Sequence, residues 1–192
     1  RMDEAADHWA KAAELNPALS IAFRNLGVYA AAVEGSLPKA EGFYRKAITA
    51  RPADQTLYRD LAEILIAEGK RPAAIELLAT MPHEGMRRAE IIVMLARAYL
   101  DEQRYTETID LLESTPYFVN WEGQNITRVL FVKAHMQRGQ QRFAKQDFKA
   151  GLKDFEAALT YPENLGVGRS NRPEESPAQY WRGKALRALG RL

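Results

Sequence analysis

Apolar residues in this chain fall at helical intervals. Between Ile21 and Val33 they occupy Phe23, Leu26, Ala30 and Val33, the three-then-four spacing that lines one face of a helix. β-branched runs, alternating segments and Asn-Gly or Asp-Gly hairpin turns are nearly absent, so strands are not expected. Helix punctuation divides the chain into about ten helices. Asn16-Pro17 stops the first (3–15), Gly35 the second (20–34), and Pro52 follows the third, which ends near Ala50. A fourth covers 54–68 and ends at Gly69; Pro72 opens a fifth that Met81-Pro82 closes. A sixth covers 87–101 and a seventh 106–114. Residues 115–123 break the pattern, a long helix follows over 124–145, then a shorter one over 148–159. Residues 160–175 read as loop, and the last helix runs from Ser176 to near Gly190. Three starts carry capping signals: Ser36 ahead of Pro38, Asn125 or Thr127 at the long helix, and a Ser176/Gln179 capping box at the last.

The helical pattern repeats. Ala5, Trp9, Ala12 and Pro17 recur 35 residues on as Ala40, Tyr44, Ala47 and Pro52, and Ala74, Leu78 and Met81-Pro82 begin a third copy. A fixed period of this length in helical sequence marks a solenoid, in which one helix pair cannot bury its apolar face alone and neighbours must stack. Such an array is a surface for holding other molecules, so a binding face is sought before a catalytic centre.

These residues resemble the tetratricopeptide repeat (TPR) family. The first full repeat has Phe23, Leu26-Gly27, Ala40, Tyr44, Ala47 and Pro52; the second has Tyr58, Leu61-Ala62, Leu65, Ala74 and Leu78. The third has Ile92, Leu95-Ala96, Tyr99 and Leu112, with Thr108 at a usually small position. The fourth is degenerate, with Gly139, Phe148, Gly151, Phe155 and Ala158, and Arg138 where Leu is usual. The resemblance implies an all-α fold, a right-handed superhelix of antiparallel helix pairs (an α-solenoid). Its expected parts are a helix B of a truncated repeat (1–17), repeats at 20–52, 54–82 and 87–116, and an irregular aromatic connection at 117–123. A fourth repeat (124–162), a loop (163–175) and a trailing helix A (176–192) follow. A chain cut inside repeats at both ends reads as a fragment, whose ends could pair with another copy. The segment from Phe155 to Arg169, followed by Tyr180-Trp181, also resembles the TPR region of large bacterial proteins that carry an upstream β-rich domain.

Composition removes several function classes. Hydrophobic residues make up 46% and charged residues 27%, as in a folded domain. A net charge of +2 is too mild for a nucleic-acid partner. No Cys is present, which excludes disulfides and thiolate metal sites but carries no information about compartment. No run of about 18 apolar residues occurs, so no membrane-spanning helix or membrane partner is expected. His8, His83 and His135 form no ligand-spaced pair and read as ordinary surface or partly buried side chains. No nucleophile elbow, Walker loop or zinc-protease motif occurs, so no catalytic residue, metal or cofactor is expected. Gly166-Val-Gly168-Arg169 lacks the strand that a phosphate loop needs and reads as a turned connector.

The TPR register implies which residues line the concave face: Arg24 and Arg59 at one position, Val28, Glu63 and Arg97 at another, and Tyr180, Lys184 and Arg187 on the last helix. Stacked cations suit a protein or peptide partner with carboxylates, or another domain of the same chain. Val28 stands where the chaperone-tail clamp of this family needs Asn, which argues against that role. Tyr117, Phe118 and Trp121 are either a binding edge or a plug between repeats three and four, and plugging is favoured because exposed apolar patches are uncommon without a partner. The expected function is a non-catalytic interaction or scaffold module. The alternative is a structural appendage that positions or oligomerises the catalytic domain of a larger carbohydrate-active bacterial enzyme.

Overall fold

The computed structural model describes residues 1–83, 87–120 and 124–191. The fold is all-α: ten α-helices, one 3-10 turn and no strand among the described residues. The helices are α1 (Met2–Leu15), α2 (Ser20–Ala32), α3 (Leu37–Ala50), α4 (Gln55–Ala67), α5 (Arg71–Thr80), α6 (Ala89–Asp101), α7 (Tyr105–Ser114), α8 (Ile126–Ala144), α9 (Phe148–Ala157) and α10 (Ser176–Ala188). A 3-10 turn at Glu163–Leu165 sits in the segment expected to be loop.

The chain forms two compact units, Arg1–Ile91 and Ile92–Leu192. In the first, each helix from α1 to α5 packs on the next. Alanines do much of this packing. Ala22, Ala30, Ala40, Ala47, Ala62 and Ala74 are buried, so the backbones approach closely while Leu57, Leu61, Leu65 and Leu78 fill the space left. Gly27 takes this further, since a methyl there would lie 3.0 Å from the Tyr44 ring. In the second unit α7 packs on α8, α8 on α9, and α9 on α10. A methyl at Gly139 would fall 2.6 Å from Phe155 Cε1, and one at Gly151 would fall 3.1 Å from the Gly139 carbonyl oxygen. The degenerate fourth phrase therefore still sets a close α8–α9 crossing. Phe155 is fully buried there and stacks on Trp181 of α10, with ring centroids 5.7 Å apart.

Helix starts follow local chemistry only in part. Asp54 and Asp147 cap α4 and α9, accepting bonds from Thr56 N at 3.0 Å and Ala150 N at 3.1 Å. Three expected caps are corrected. Ser36 and Asn125 stand at the N-caps of α3 and α8 but make no side-chain capping bond. Ser176 is the first residue of α10, whose N-cap is Glu175, and no capping bond forms there. In α3 and α10 a proline sits in the first turn, where its fixed φ and missing N–H suit the start without a side-chain acceptor. Thr127 is turned inward instead, its hydroxyl donating to Leu165 O at 2.9 Å.

Candidate functional site

Five sets of residues bear on function. The first is the predicted arginine pair. Arg24 of α2 and Arg59 of α4 do come together, but on a carboxylate of the chain itself. Asp60 is buried; Arg24 Nε donates to its Oδ2 at 2.7 Å and Arg59 Nη2 to its Oδ1 at 2.6 Å. Burial, and then the neighbouring Asp60 charge, push the Tyr44 phenol beside this cluster up to about 12. Two cations on one buried carboxylate tie α2 to α4 and are already satisfied. Arg97, in the second unit, is exposed.

The second unit contains a comparable cluster that sequence reading missed. Asp154 of α9 is buried and receives Arg138 Nη2 at 2.8 Å, Arg142 Nη1 at 2.8 Å and the His135 ring at Nδ1, 3.1 Å away. Burial pushes its carboxyl up, but the bonds from His135 and Arg138 and the nearby arginine charges outweigh this and hold it below the ordinary range. Arg138, the departure from the repeat phrase, is thus the partner of a buried acid. The available signal was an acid directly beside core positions, as in Asp60-Leu61 and Asp154-Phe155. No group of acidic or histidine side chains able to hold a metal occurs among the described residues. No described helix is long and apolar enough to cross a membrane.

The third set is the aromatic connection. Phe118 is buried, whereas Tyr117 and Val119 are exposed; Trp121 lies outside the described residues. The backbone here is clasped to the 163–166 segment: Phe118 N donates to Asn164 O at 2.7 Å, and Asn120 Nδ2 to Leu165 O at 2.7 Å. Asn164 Nδ2 donates to the carbonyls of Leu112 and Thr115. Gly166 closes this clasp with φ +65°, and a Cβ there would run into Phe118 O. The Gly166–Arg169 stretch is thus a tight connector, and Arg169 is paired with Glu175 at 2.9 Å.

On α10, Tyr180, Lys184 and Arg187 are all exposed. Lys184 Nζ lies 4.5 Å from the Trp181 ring centroid and 5.5 Å from those of Phe143 and Tyr180. Neither Lys184, Arg187 nor Arg97 pairs with a carboxylate among the described residues. Trp181 packs in the core cluster of α8, α9 and α10, while Tyr180 stands 62% exposed.

The fifth feature is a cavity of about 680 Å³ within the second unit, between the start of α8 and the 160–175 segment. Arg128, Lys133, Tyr161, Val167, Gly168 and Pro177 are among its walls. Its walls come from two stretches of sequence, 120–133 and 161–177, of which the sequence singled out only the Gly166-Val167-Gly168 turn.

The profile of the tetratricopeptide repeat matches residues 31–91. No curated protein sequence matches the chain. Among solved structures, the chain is similar to YrrB, described as a TPR protein with an unusual peptide-binding site, with a TM-score of 0.54, 18% identity and coverage of 97% of this chain and 86% of that one. It is also similar to the MamA protein, with a TM-score of 0.53, 18% identity and coverage of 82% and 81%. At such identity these likenesses bear on the fold, that of a TPR protein.

Proposed function

We propose that this chain is a non-catalytic TPR-type interaction module, and that it holds an acidic segment of a protein partner through the open cations of α10, with Arg97 as a further contact. The observation that carries the reading is the state of Lys184 and Arg187. Both are exposed on one helix with no carboxylate of their own among the described residues, whereas Arg24 and Arg59 are both bonded to Asp60. Tyr180 beside them supplies an exposed ring, and Tyr and Arg are among the residues enriched in binding hot spots. The peptide-binding site named for YrrB is consistent with this use of the fold. Arg24 and Arg59 serve in this reading to fix the helices of the first unit.

The test is a comparative capture from source lysate with the wild-type chain and a Lys184→Glu/Arg187→Glu variant of matched helicity. A partner retained by wild type and lost by the variant, with the same ranking when the purified partner is titrated, supports an acidic segment on α10. A partner held equally by both sinks the α10 site. No partner with either favours the alternative of a structural appendage to a larger enzyme.

A further inference from the structure

The cavity in the second unit contains a charge that the fold leaves incomplete. Arg128 belongs to the first turn of α8, is 9% exposed, and lines the cavity. Its Nη2 donates to Ala158 O at 2.9 Å, and its guanidinium lies over the Tyr161 ring, 4.2 Å from the centroid. Its Nε and Nη1 are shielded from solvent and have no hydrogen-bond partner. A buried guanidinium with unpartnered donors is costly, and the cost falls when an acceptor reaches them. Its position adds to the deficit. A cation in the first turn of a helix opposes the positive end of the macrodipole, and Asn125 at the N-cap contributes no side-chain capping bond. Glu175, an acid whose charge acts on it, is already committed to Arg169 and to the Tyr161 hydroxyl.

We infer that this cavity is a binding site for a monoanionic carboxylate with a small apolar neighbour, held by Arg128 with Lys133 as the second cation. The other walls define the ligand. Val129, Val132, Val167 and Pro177 provide an apolar surface, which suits a short branched or aliphatic group beside the acid. Glu174 also lines the cavity, and a second negative charge on the ligand would meet it, which disfavours phosphate monoesters and dicarboxylates. The volume of about 680 Å³ is in the range of small-ligand sites and accepts either a free organic acid or the last residues of a peptide. This site shares no residue with the set Tyr180, Lys184 and Arg187, so it stands or falls separately from the proposed partner contact.

The experiment is a calorimetric titration of the full chain with three probes: isovalerate, acetyl-Gly-Pro-Val with a free C-terminus, and the same peptide as its C-terminal amide. The expected result is binding of one or both free acids and none of the amide. Isovalerate alone identifies a small organic acid, and the free peptide alone identifies a chain terminus. Arg128→Met, checked for folding by circular dichroism, should weaken binding by about tenfold or more, the loss of a charge-assisted hydrogen bond. Should Arg128→Met fail to fold, Lys133→Glu decides. Lys133 is exposed, its reversal leaves the core intact, and it should weaken binding by about threefold or more. No binding of any probe, binding of the amide equal to that of the acid, or Lys133→Glu binding as wild type would each overturn the assignment.

Discussion

At the scale of single residues, acids rather than arginines organise this molecule. Asp60 gathers Arg24 and Arg59, so its removal leaves the partly enclosed Arg24 without its carboxylate and Arg59 with only Glu63, 3.9 Å away. Asp60→Ala should cost about 1–3 kcal/mol, measured as a lower urea midpoint at unchanged slope. Glu41 shows the same logic at a less enclosed place. Bonds from Lys70 and then Arg45, at 2.8 and 2.7 Å, hold its pKa at about 2 instead of 4.5. A carboxylate depressed on folding contributes stability that is present above its unfolded pKa and is lost as pH falls through the folded value. The melting temperature should therefore drop between about pH 4.5 and 2, and Glu41→Gln should flatten that part of the profile. Asp154, also held below its ordinary range, adds to the acid limb in the same direction. The arginines were legible in sequence as positions of a repeat, but their partner was not. Asp60 is 36 residues from Arg24, a separation at which only packing decides what meets.

The elements themselves were easier to read, because apolar spacing and chain breakers act locally. Helix bodies follow the apolar stripe, and α2 and α4 stop just before Gly35 and Gly69, both at positive φ. Two other helices end through the same left-handed turn without glycine. Gln103 at φ 58° follows α6 and Gln146 at φ 63° follows α8, and the next N–H bonds back in each case, Arg104 to Tyr99 O and Asp147 to Arg142 O. A side chain in this region costs about 1–2 kcal/mol, part of which glycine returns through its freer unfolded state. Gln103→Gly and Gln146→Gly should each stabilise the protein by about 0.5–1 kcal/mol in thermal melts. Gly139→Ala should do the opposite. The helix-propensity gain of about 1 kcal/mol is outweighed by a methyl 2.6 Å from Phe155, which overpacks a close crossing. Gly183→Ala, in α10 with open space around it, should show the propensity gain alone. Caps were the least legible part. Ser36 and Asn125 have the right side chains in the right places, yet neither makes the expected bond, since composition shows that an acceptor is available and not how its rotamer is used.

For the whole molecule, the proposed function depends on which charges remain unspent after folding. Net charge is only +2, so long-range attraction to an acidic partner is weak and recognition must come from local clusters. Arg24 and Arg59 of the first unit are spent on Asp60, and Arg138 and Arg142 of α8 on Asp154. Lys184 and Arg187 are exposed, and exposed cations act on a partner through solvent, where salt screens them within about 10 Å at 0.1 M. Arg128 is enclosed, so its attraction for an anion is screened far less. The two proposed surfaces should therefore separate under salt. Raising salt from about 0.05 to about 0.5 M should weaken the protein partner by about tenfold, while a carboxylate in the Arg128 cavity should lose no more than about threefold. Parallel titrations of the partner and the small acid at the two salt concentrations measure this directly. Equal salt slopes would mean that both ligands meet solvent-exposed charge, and the enclosed guanidinium would then not be what holds the acid.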